Sequence, residues 1–291
     1  MARQKVTIQD MQKAKEENRK LTMITAYDYP FGLMADEAEV DMVLVGDSVG
    51  MVVMGLQGTV PVTMEDMVHH IRAVMRGCKT AFVIGDMPFM SYNTSIRDAI
   101  VNAGRLVKDG GCDGVKLEGG THFAPTVEAI VRAGIPVQGH VGLTPQTAGA
   151  LGGFKTQGRD AAAARAIIDD ARALEQAGAF SVILEAVPAP LGKLVAEAVR
   201  VPVIGVGAGP HVDGQGLVTH DMVGLFDRFV PKFVKQYAKI RPIILDAIRE
   251  YRQEVLDGQF PGPEHSFKMS EETLEELKGM ISGKAAKPLS A

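Results

Sequence analysis

Residues 81–119 read AFVIGDMPFMSYNTSIRDAIVNAGRLVKDGGCDGVKLEG and contain one complete strand–helix–strand unit. The apolar runs at 81–88 and 114–119 have the length of strands that are buried on both faces. Between them, residues 94–109 are predicted to form a helix that ends at Gly110-Gly111, because glycine commonly closes a helix. A strand, a helix and a second strand in this order indicate a parallel sheet.

The same alternation continues through most of the chain. Further helices are predicted at 63–77, 160–177 and 233–257. The six other apolar runs are LTMITAYD (21–28), MVLVGDS (42–48), IPVQGHVG (135–142), FSVILEAV (180–187), VPVIGVGAG (201–209) and RFVPKFV (228–234). Eight strands alternating with helices predict an α/β protein with a single (β/α)₈ TIM barrel rather than a doubly wound sheet.

The domain organisation is predicted to be simple. The 291 residues would allow two domains by length alone. No linker rich in Pro, Ser or Gly divides the chain, so we predict one barrel domain over 1–260 and a C-terminal extension over 261–291. Within the extension we expect a short helix from Ser270 to about Lys278 and a polar, partly flexible tail.

Composition and charge exclude several classes of protein. Hydrophobic residues make up 46% and charged residues 23%, which is typical of a globular chain rather than a disordered one. The net charge is −4 without a dense basic run, so nucleic acid is not an expected partner. The sequence has no apolar run long enough to cross a membrane, no signal-peptide pattern and only two cysteines. We therefore predict a cytoplasmic protein without membrane contact.

Ionisable side chains stand where the predicted strands end. In a barrel of this type, the active site is built at the C-terminal ends of the strands. Charged groups beside buried strands are costly unless they are paired or bound to a metal, so their repeated occurrence here indicates a functional site. The strand ends carry Asp28, Asp47 with Ser48, Asp86, Lys116 with Glu118, His140 and Glu185.

Three of these side chains, Asp47, Asp86 and Glu118, are carboxylates that would converge in a barrel. Oxygen ligands supplemented by water are what Mg²⁺ prefers. The alternative is that each carboxylate caps the following helix, since aspartate is a good N-cap residue. For the three together, the metal site is the favoured interpretation.

The remaining candidates have two interpretations each. Lys116 and Glu118 are two residues apart in a strand and share one face, so Lys116 either neutralises a substrate carboxylate or forms a structural ion pair. Glu185, the only ionisable residue on its strand, is either a general base or a buried partner of a cation. His140 either donates a hydrogen bond to a substrate oxygen or packs in the core.

The glycine-rich stretch GVGAG at 205–209 lacks the GxGxxG spacing of a dinucleotide-binding loop. A phosphate site remains open, because the loop after the seventh strand of a barrel often holds one. Alternatively, these glycines only let the backbone turn close to a ligand.

The motifs around these positions resemble those of the ketopantoate hydroxymethyltransferase family. The resemblance extends in order from about residue 5 to FPGPEHSF near 267. The motifs are TAYDYPF, LVGDSVGMV, DMPFMSY, VKLEGG, GHVGLTPQ and IGVGAGPHVDGQGLVTHD. The resemblance implies a barrel related to those of the isocitrate lyase and phosphoenolpyruvate mutase group.

The resemblance also implies an activity and a set of site residues. A hydroxymethyl group would pass from 5,10-methylenetetrahydrofolate to α-ketoisovalerate through a Mg²⁺-stabilised enolate, giving ketopantoate for pantothenate and coenzyme A biosynthesis. The family forms homo-oligomers, typically decamers. Residue by residue, the resemblance assigns Mg²⁺ binding to Asp47, Asp86 and Glu118. It assigns binding of the keto acid to Asp47, Ser48, Asp86 and Lys116, and proton abstraction to Glu185. His140 is a further substrate-binding candidate because of its position at a strand end.

Two alternatives stay open at this point. One is another enzyme of the same superfamily that forms or cleaves a bond next to a 2-oxo acid. The lyases of that group carry a KKCGH-type cysteine loop, which this chain lacks, since Cys112 precedes the fourth strand. The other is a barrel that binds a metabolite without catalysis, which would be expected to lack the base or a metal ligand.

Overall fold

A computed structural model describes residues 3–150 and 152–282 of the chain. Eight parallel strands pair in sequence order, and the last closes on the first, which confirms the predicted (β/α)₈ barrel. The predicted polar tail lies outside the described residues. The strands are β1 (Leu21–Thr25), β2 (Met42–Val45), β3 (Phe82–Asp86), β4 (Gly114–Glu118), β5 (Val137–Gly142), β6 (Ser181–Glu185), β7 (Val203–Val206) and β8 (Gly214–Leu217).

The helices confirm most of the predicted pattern. The predictions at 63–77, 94–109 and 160–177 correspond to α4, α5 and α7, and α5 continues as a π-helical turn to Gly110. The α-helices are α1 (Ile8–Glu16), α2 (Tyr29–Glu37), α3 (Val49–Val52), α4 (Met64–Gly77), α5 (Ile96–Arg105), α6 (Ala124–Arg132), α7 (Ala161–Gln176), α8 (Ala189–Ala198), α9 (Thr219–Met222), α10 (Ile240–Leu256) and α11 (Glu271–Ser282).

The eighth strand was predicted in the wrong place. Residues 228–234 form no strand, and β8 is instead the short segment Gly214–Leu217, which pairs with both β1 and β7. Its sequence, GQGL, has no apolar run, because the neighbouring strands leave little room for side chains there. A Cβ atom on Gly214 would lie 2.7 Å from the carbonyl oxygen of Leu21. The helix predicted from 233 accordingly begins later, at Ile240.

The hydrophobic core has two layers. Inside the barrel, apolar side chains such as Met42, Ile84 and Ile204 pack together, and Met11 of α1 joins them. A larger layer lies between the strands and the surrounding helices. Full burial of each large apolar side chain contributes about 1.5–3 kcal/mol, so these two layers are what hold the strand ends in fixed positions.

The chain divides into two compact units, of which the first ends at Ala238 and the second begins at Lys239. The second unit contains α10 and α11, so the helix predicted from Ser270 is present and extends to Ser282. The domain boundary predicted at residue 260 stays a prediction. Within the described residues, no helix combines the length and the hydropathy that crossing a bilayer requires.

Asp36 in α2 joins the helix layer to the loop before β3. Its Oδ1 atom accepts hydrogen bonds from the backbone N–H groups of Thr80, at 2.7 Å, and Ala81, at 2.9 Å, and from the Thr80 hydroxyl. Partial burial opposes the charged form, but these donors outweigh it and lower the pKa of Asp36 to about 2. The ionised carboxylate therefore stabilises the fold.

We expect Asp36→Asn to lower the free energy of unfolding by about 1–2 kcal/mol at pH 7, after allowance for the partial exposure of the group. Because the folded pKa lies below the ordinary value of 3.8, this stabilisation is present above about pH 4 and is lost as the pH falls towards 2. Urea unfolding at pH 7 and pH 3 measures both effects, with exposed Asp109→Asn as the control. An equal difference at the two pH values would contradict this assignment.

Candidate active site

The seven side chains predicted to form the site meet in one cavity at the C-terminal ends of the strands. The cavity encloses about 190 Å³. Its polar lining includes Asp47, Ser48, Asp86, Lys116, Glu118, His140 and Glu185. Asp28 has a different role, because its carboxylate caps α2 by accepting a hydrogen bond from the backbone N–H of Phe31 at 2.9 Å.

Strand register explains why these side chains converge. Asp86 is paired with Lys116 across β3 and β4, and Glu118 is paired with His140 across β4 and β5. Lys116 and Glu118 share one face of β4, as predicted, and both are almost completely buried. Glu185 is the last residue of β6 and lies next to Gly142 of β5.

The ammonium group of Lys116 is at the centre of the polar cluster. Its Nζ atom lies 3.1 Å from Asp86 Oδ1, 3.3 Å from Glu118 Oε1 and 3.2 Å from His140 Nδ1. Burial lowers the pKa of Lys116, but the charges of Asp86 and Glu118 outweigh burial and hold it above its ordinary value. The ion pair foreseen as one interpretation is therefore present, and a role toward substrate stays a prediction.

His140 connects the cluster to Glu185. Its Nδ1 atom lies 3.4 Å from Glu118 Oε1, and its Nε2 atom lies 3.2 Å from Glu185 Oε2. Burial and Lys116 lower the pKa of His140, but hydrogen bonding to Glu118 and Glu185 outweighs them and raises it to about 9. The ring thus lies between two carboxylates, Glu118 and Glu185, and their proximity favours its protonated form.

Asp47 and Asp86 carry negative charge that the cluster does not balance. Burial and the neighbouring Asp86 raise the pKa of Asp47 well above its ordinary value. Burial likewise raises the pKa of Asp86, whose Oδ1 accepts no well-directed hydrogen bond despite its contact with Lys116. Buried carboxylates are costly when a single lysine serves several of them, and a bound cation would lower that cost.

The oxygen donors of Asp47, Asp86 and Glu118 fit a hard divalent cation. Among residues 3–150 and 152–282, no three His, Cys, Asp or Glu side chains are close enough together to form a metal site without further ligands. Mg²⁺ commonly binds through one or two carboxylates and completes its shell with water and substrate oxygens. The donor chemistry and the excess of buried negative charge therefore suit Mg²⁺ better than zinc, which prefers nitrogen and sulfur ligands.

Two neutral residues position the carboxylates, and sequence reasoning missed both. Gln146 donates through Nε2 to Asp47 Oδ2 at 2.9 Å and through its backbone N–H to Glu118 Oε2 at 3.0 Å. The Tyr92 hydroxyl in turn donates to Gln146 Oε1 at 2.6 Å. A search for ionisable residues cannot find them, although both lie within motifs that carried the family resemblance.

Ser48 and Gly142 show how local backbone geometry shapes the site. Ser48 lies between β2 and α3, at the N-cap position of α3, and its hydroxyl lies 2.8 Å from the Tyr27 hydroxyl. Gly142 has a φ of +93°, and a Cβ atom there would lie 2.4 Å from the carbonyl oxygen of Glu185. Only glycine allows β5 to end so close to the candidate base.

Four phenylalanine side chains form the aromatic part of the cavity lining, called the aromatic roof below. It consists of Phe154, Phe226, Phe229 and Phe233. Phe229 and Phe233 belong to the run 228–234, which was predicted to be a strand. Gly207, with a φ of +74°, permits this packing, because a Cβ atom there would lie 2.5 Å from Phe233 Cδ1. The GVGAG stretch thus serves close packing beside the cavity, while its binding of a phosphate stays a prediction.

Comparison with known proteins gives consistent matches over nearly the whole chain. A family model described as ketopantoate hydroxymethyltransferase matches residues 5–263. A relative from Heliobacterium modesticaldum named 3-methyl-2-oxobutanoate hydroxymethyltransferase is 55% identical over 276 residues, which cover 95% of this chain and 99% of that one. A relative of the same name from Moorella thermoacetica is 57% identical over 266 residues, covering 91% and 99%.

Solved structures share the fold at low sequence identity. A phosphonopyruvate hydrolase in complex with oxalate and Mg²⁺ aligns with a TM-score of 0.58 at 14% identity, covering 95% of this chain and 96% of that one. A 2,3-dimethylmalate lyase described as a member of the PEP mutase/isocitrate lyase superfamily aligns with a TM-score of 0.55 at 14% identity, covering 94% and 95%. These alignments show that the chain shares its barrel fold with these two proteins.

Proposed function

Because the chain belongs to the ketopantoate hydroxymethyltransferase family, we propose that it transfers a hydroxymethyl group from 5,10-methylenetetrahydrofolate to C3 of α-ketoisovalerate. The product would be ketopantoate. The observation that carries this proposal is the placement of Glu185 and the Asp47, Asp86, Lys116 and Glu118 cluster around one cavity, in a chain that the family model matches from residue 5 to residue 263.

The keto acid is an anion with two methyl groups on C3, and the cavity offers surfaces for both ends. Lys116 supplies positive charge beside the carboxylates, and the Ser48 hydroxyl offers a hydrogen bond. The apolar side of the cavity suits the methyl groups through Leu44, Ile183 and Val206. We therefore infer that the polar end of the keto acid lies toward Lys116 and its C3 atom toward β6.

Asp47, Asp86 and Glu118 would hold Mg²⁺, and Gln146 orients two of them through its side chain and backbone N–H groups. When bound, the cation would act as a Lewis acid that stabilises negative charge on the keto oxygen. The raised pKa of Asp47 supports this assignment, because that carboxylate lacks a sufficient counter-charge within the chain.

Glu185 would remove the C3 proton. The adjacent carbonyl makes that hydrogen acidic, and a positioned carboxylate is a suitable general base. His140 Nε2 lies 3.2 Å from one carboxylate oxygen of Glu185, and its Nδ1 atom lies 3.4 Å from Glu118, so these contacts would help to orient the base. C3 of the keto acid would form a bond to the one-carbon unit of the folate, and water would supply the hydroxyl oxygen. The two carbon–nitrogen bonds of that unit would break, the two nitrogens would take up the proton from C3 and one from water, and tetrahydrofolate would leave.

We further propose the finer context that the resemblance implies. The enzyme would act in pantothenate and coenzyme A biosynthesis in the cytoplasm, as a homo-oligomer of ten copies without nucleic acid or membrane partners. Support for subunit contacts comes from apolar side chains that are half exposed or more on helices of both units, such as Met34 and Val101 in the first and Ile243 and Ile248 in the second.

The superfamily alternative lacks support in this cavity. Lyases of that group use a cysteine near the substrate, but Cys112 is buried beside Gly85 and does not line the cavity. The absence of a thiol in the described lining favours transfer to C3 over bond cleavage.

The direct test is ketopantoate formation by the purified chain supplied with α-ketoisovalerate, 5,10-methylenetetrahydrofolate and Mg²⁺. We expect product only when all three are present. Omitting each in turn provides the controls. Conversion of the keto acid without the folate, or no conversion in the complete mixture, would overturn the proposal.

A further inference from the structure

Asp221 is a buried carboxylate that the mechanism above does not use. It lies in α9, directly after β8, is 7% exposed and lines the same cavity as Glu185. Its Oδ1 atom has no hydrogen-bond partner within the described part of the chain. The side chain of His220, the preceding residue, packs against Tyr27 and Phe31. Its ring centroid lies 5.2 Å from that of Tyr27 and 5.1 Å from that of Phe31.

Among residues 3–150 and 152–282, no lysine or arginine forms an ion pair with Asp221. Lys116, the one lysine or arginine in the described cavity lining, is already engaged by Asp86 and Glu118. Burial raises the pKa of Asp221 to about 6, so the group is still mainly ionised at pH 7. An ionised, buried acceptor without donors is unfavourable, and a ligand that brings N–H donors would satisfy it.

The lining of the cavity narrows the class of ligand that Asp221 can bind. The lining of the cavity includes the aromatic roof of Phe154, Phe226, Phe229 and Phe233, a surface suited to the faces of flat rings. The keto acid does not suit Asp221, because it is an anion without N–H donors. The co-substrate does, since its bicyclic ring ends in a 2-amino group beside a ring N–H.

We propose that Asp221 binds the one-carbon donor by accepting hydrogen bonds from the 2-amino group and the adjacent ring N–H of its pterin. Two parallel N–H donors facing one carboxylate make a bidentate, charge-assisted pair. The roof would cover the rings, and the one-carbon unit would enter the cavity that Glu185 lines. This inference rests on the proposed function.

The test is Asp221→Asn, which preserves the size of the side chain but replaces one acceptor oxygen with a donor. We expect the KM for 5,10-methylenetetrahydrofolate and the calorimetric Kd for tetrahydrofolate to rise about 10- to 100-fold. The KM for α-ketoisovalerate should stay within about twofold, because Asp221 does not contact it. Asp109→Asn, an exposed aspartate outside the cavity, is the matched control.

A second measurement uses the unmodified protein, so it does not depend on how the variant folds. A tetrahydrofolate analogue without the 2-amino group should bind at least about tenfold more weakly than tetrahydrofolate. Equal affinity for the two ligands, or an unchanged folate KM in folded Asp221→Asn, would overturn the role of Asp221. Failure of the proposed function would differ, because the unmodified chain would then form no ketopantoate.

Discussion

Replacing Glu185 with glutamine is expected to lower kcat for ketopantoate formation about 10³-fold, within the range that general-base catalysis contributes. Glutamine has nearly the same shape but cannot take a proton at neutral pH. Its amide oxygen can still face His140 Nε2, which lies 3.2 Å from the native carboxylate, so the architecture of the cavity should persist. Steady-state kinetics with both substrates at saturation measure the effect.

The affinity for the keto acid distinguishes loss of the base from loss of the site. We expect the Kd for α-ketoisovalerate with Mg²⁺ present to change less than about threefold, because binding depends on the Lys116 side of the cavity. Glu128→Gln, which alters an exposed glutamate of α6, is the control and should be fully active. A Glu185→Gln enzyme with near-normal kcat would remove Glu185 from the role of base.

Removal of the metal is expected to have the other large effect. Dialysis against EDTA should lower ketopantoate formation at least about 10³-fold, and added Mg²⁺ should restore it, because stabilisation of the developing negative charge contributes several kcal/mol. The fold itself should persist, since neither layer of the hydrophobic core contains Asp47, Asp86 or Glu118.

The control for this experiment is dialysis without chelator, and circular dichroism follows the fold throughout. A second comparison uses Asp86→Asn, which keeps the shape but removes one charged ligand and should require a higher Mg²⁺ concentration for half-maximal activity. Full turnover in the chelated enzyme would contradict the assignment of Asp47, Asp86 and Glu118 as metal ligands.

Local patterns were enough to predict the barrel and the charged members of its site. Seven of the eight strands lie within apolar runs, and such runs can be recognised in a single sequence. The placement of Lys116 and Glu118 on one face follows from the two-residue period of a strand. Because strand ends meet at one rim of a barrel, Asp47, Asp86, His140 and Glu185 could be predicted to converge with them.

The features that were missed depend on tertiary packing. β8 has the sequence GQGL, which carries no apolar signal because crowding by Leu21 and Ile204 selects glycine at its start. Gln146 and Tyr92 are neutral, so their importance appears only through the distances to Asp47 and Glu118. Asp221 looks like an ordinary helix aspartate in the sequence. What distinguishes it is a buried Oδ1 atom that has no hydrogen-bond partner among the described residues.

The central claim is that this cavity makes C3 of a 2-keto acid nucleophilic by removing its proton. Proton NMR in D₂O follows that step directly as loss of the C3 hydrogen signal of α-ketoisovalerate when the protein and Mg²⁺ are present. We predict exchange that is far faster than in the protein-free control, stops on chelation and is absent in Glu185→Gln. Exchange at the protein-free rate in the native protein, or equal exchange in Glu185→Gln, would contradict the claim.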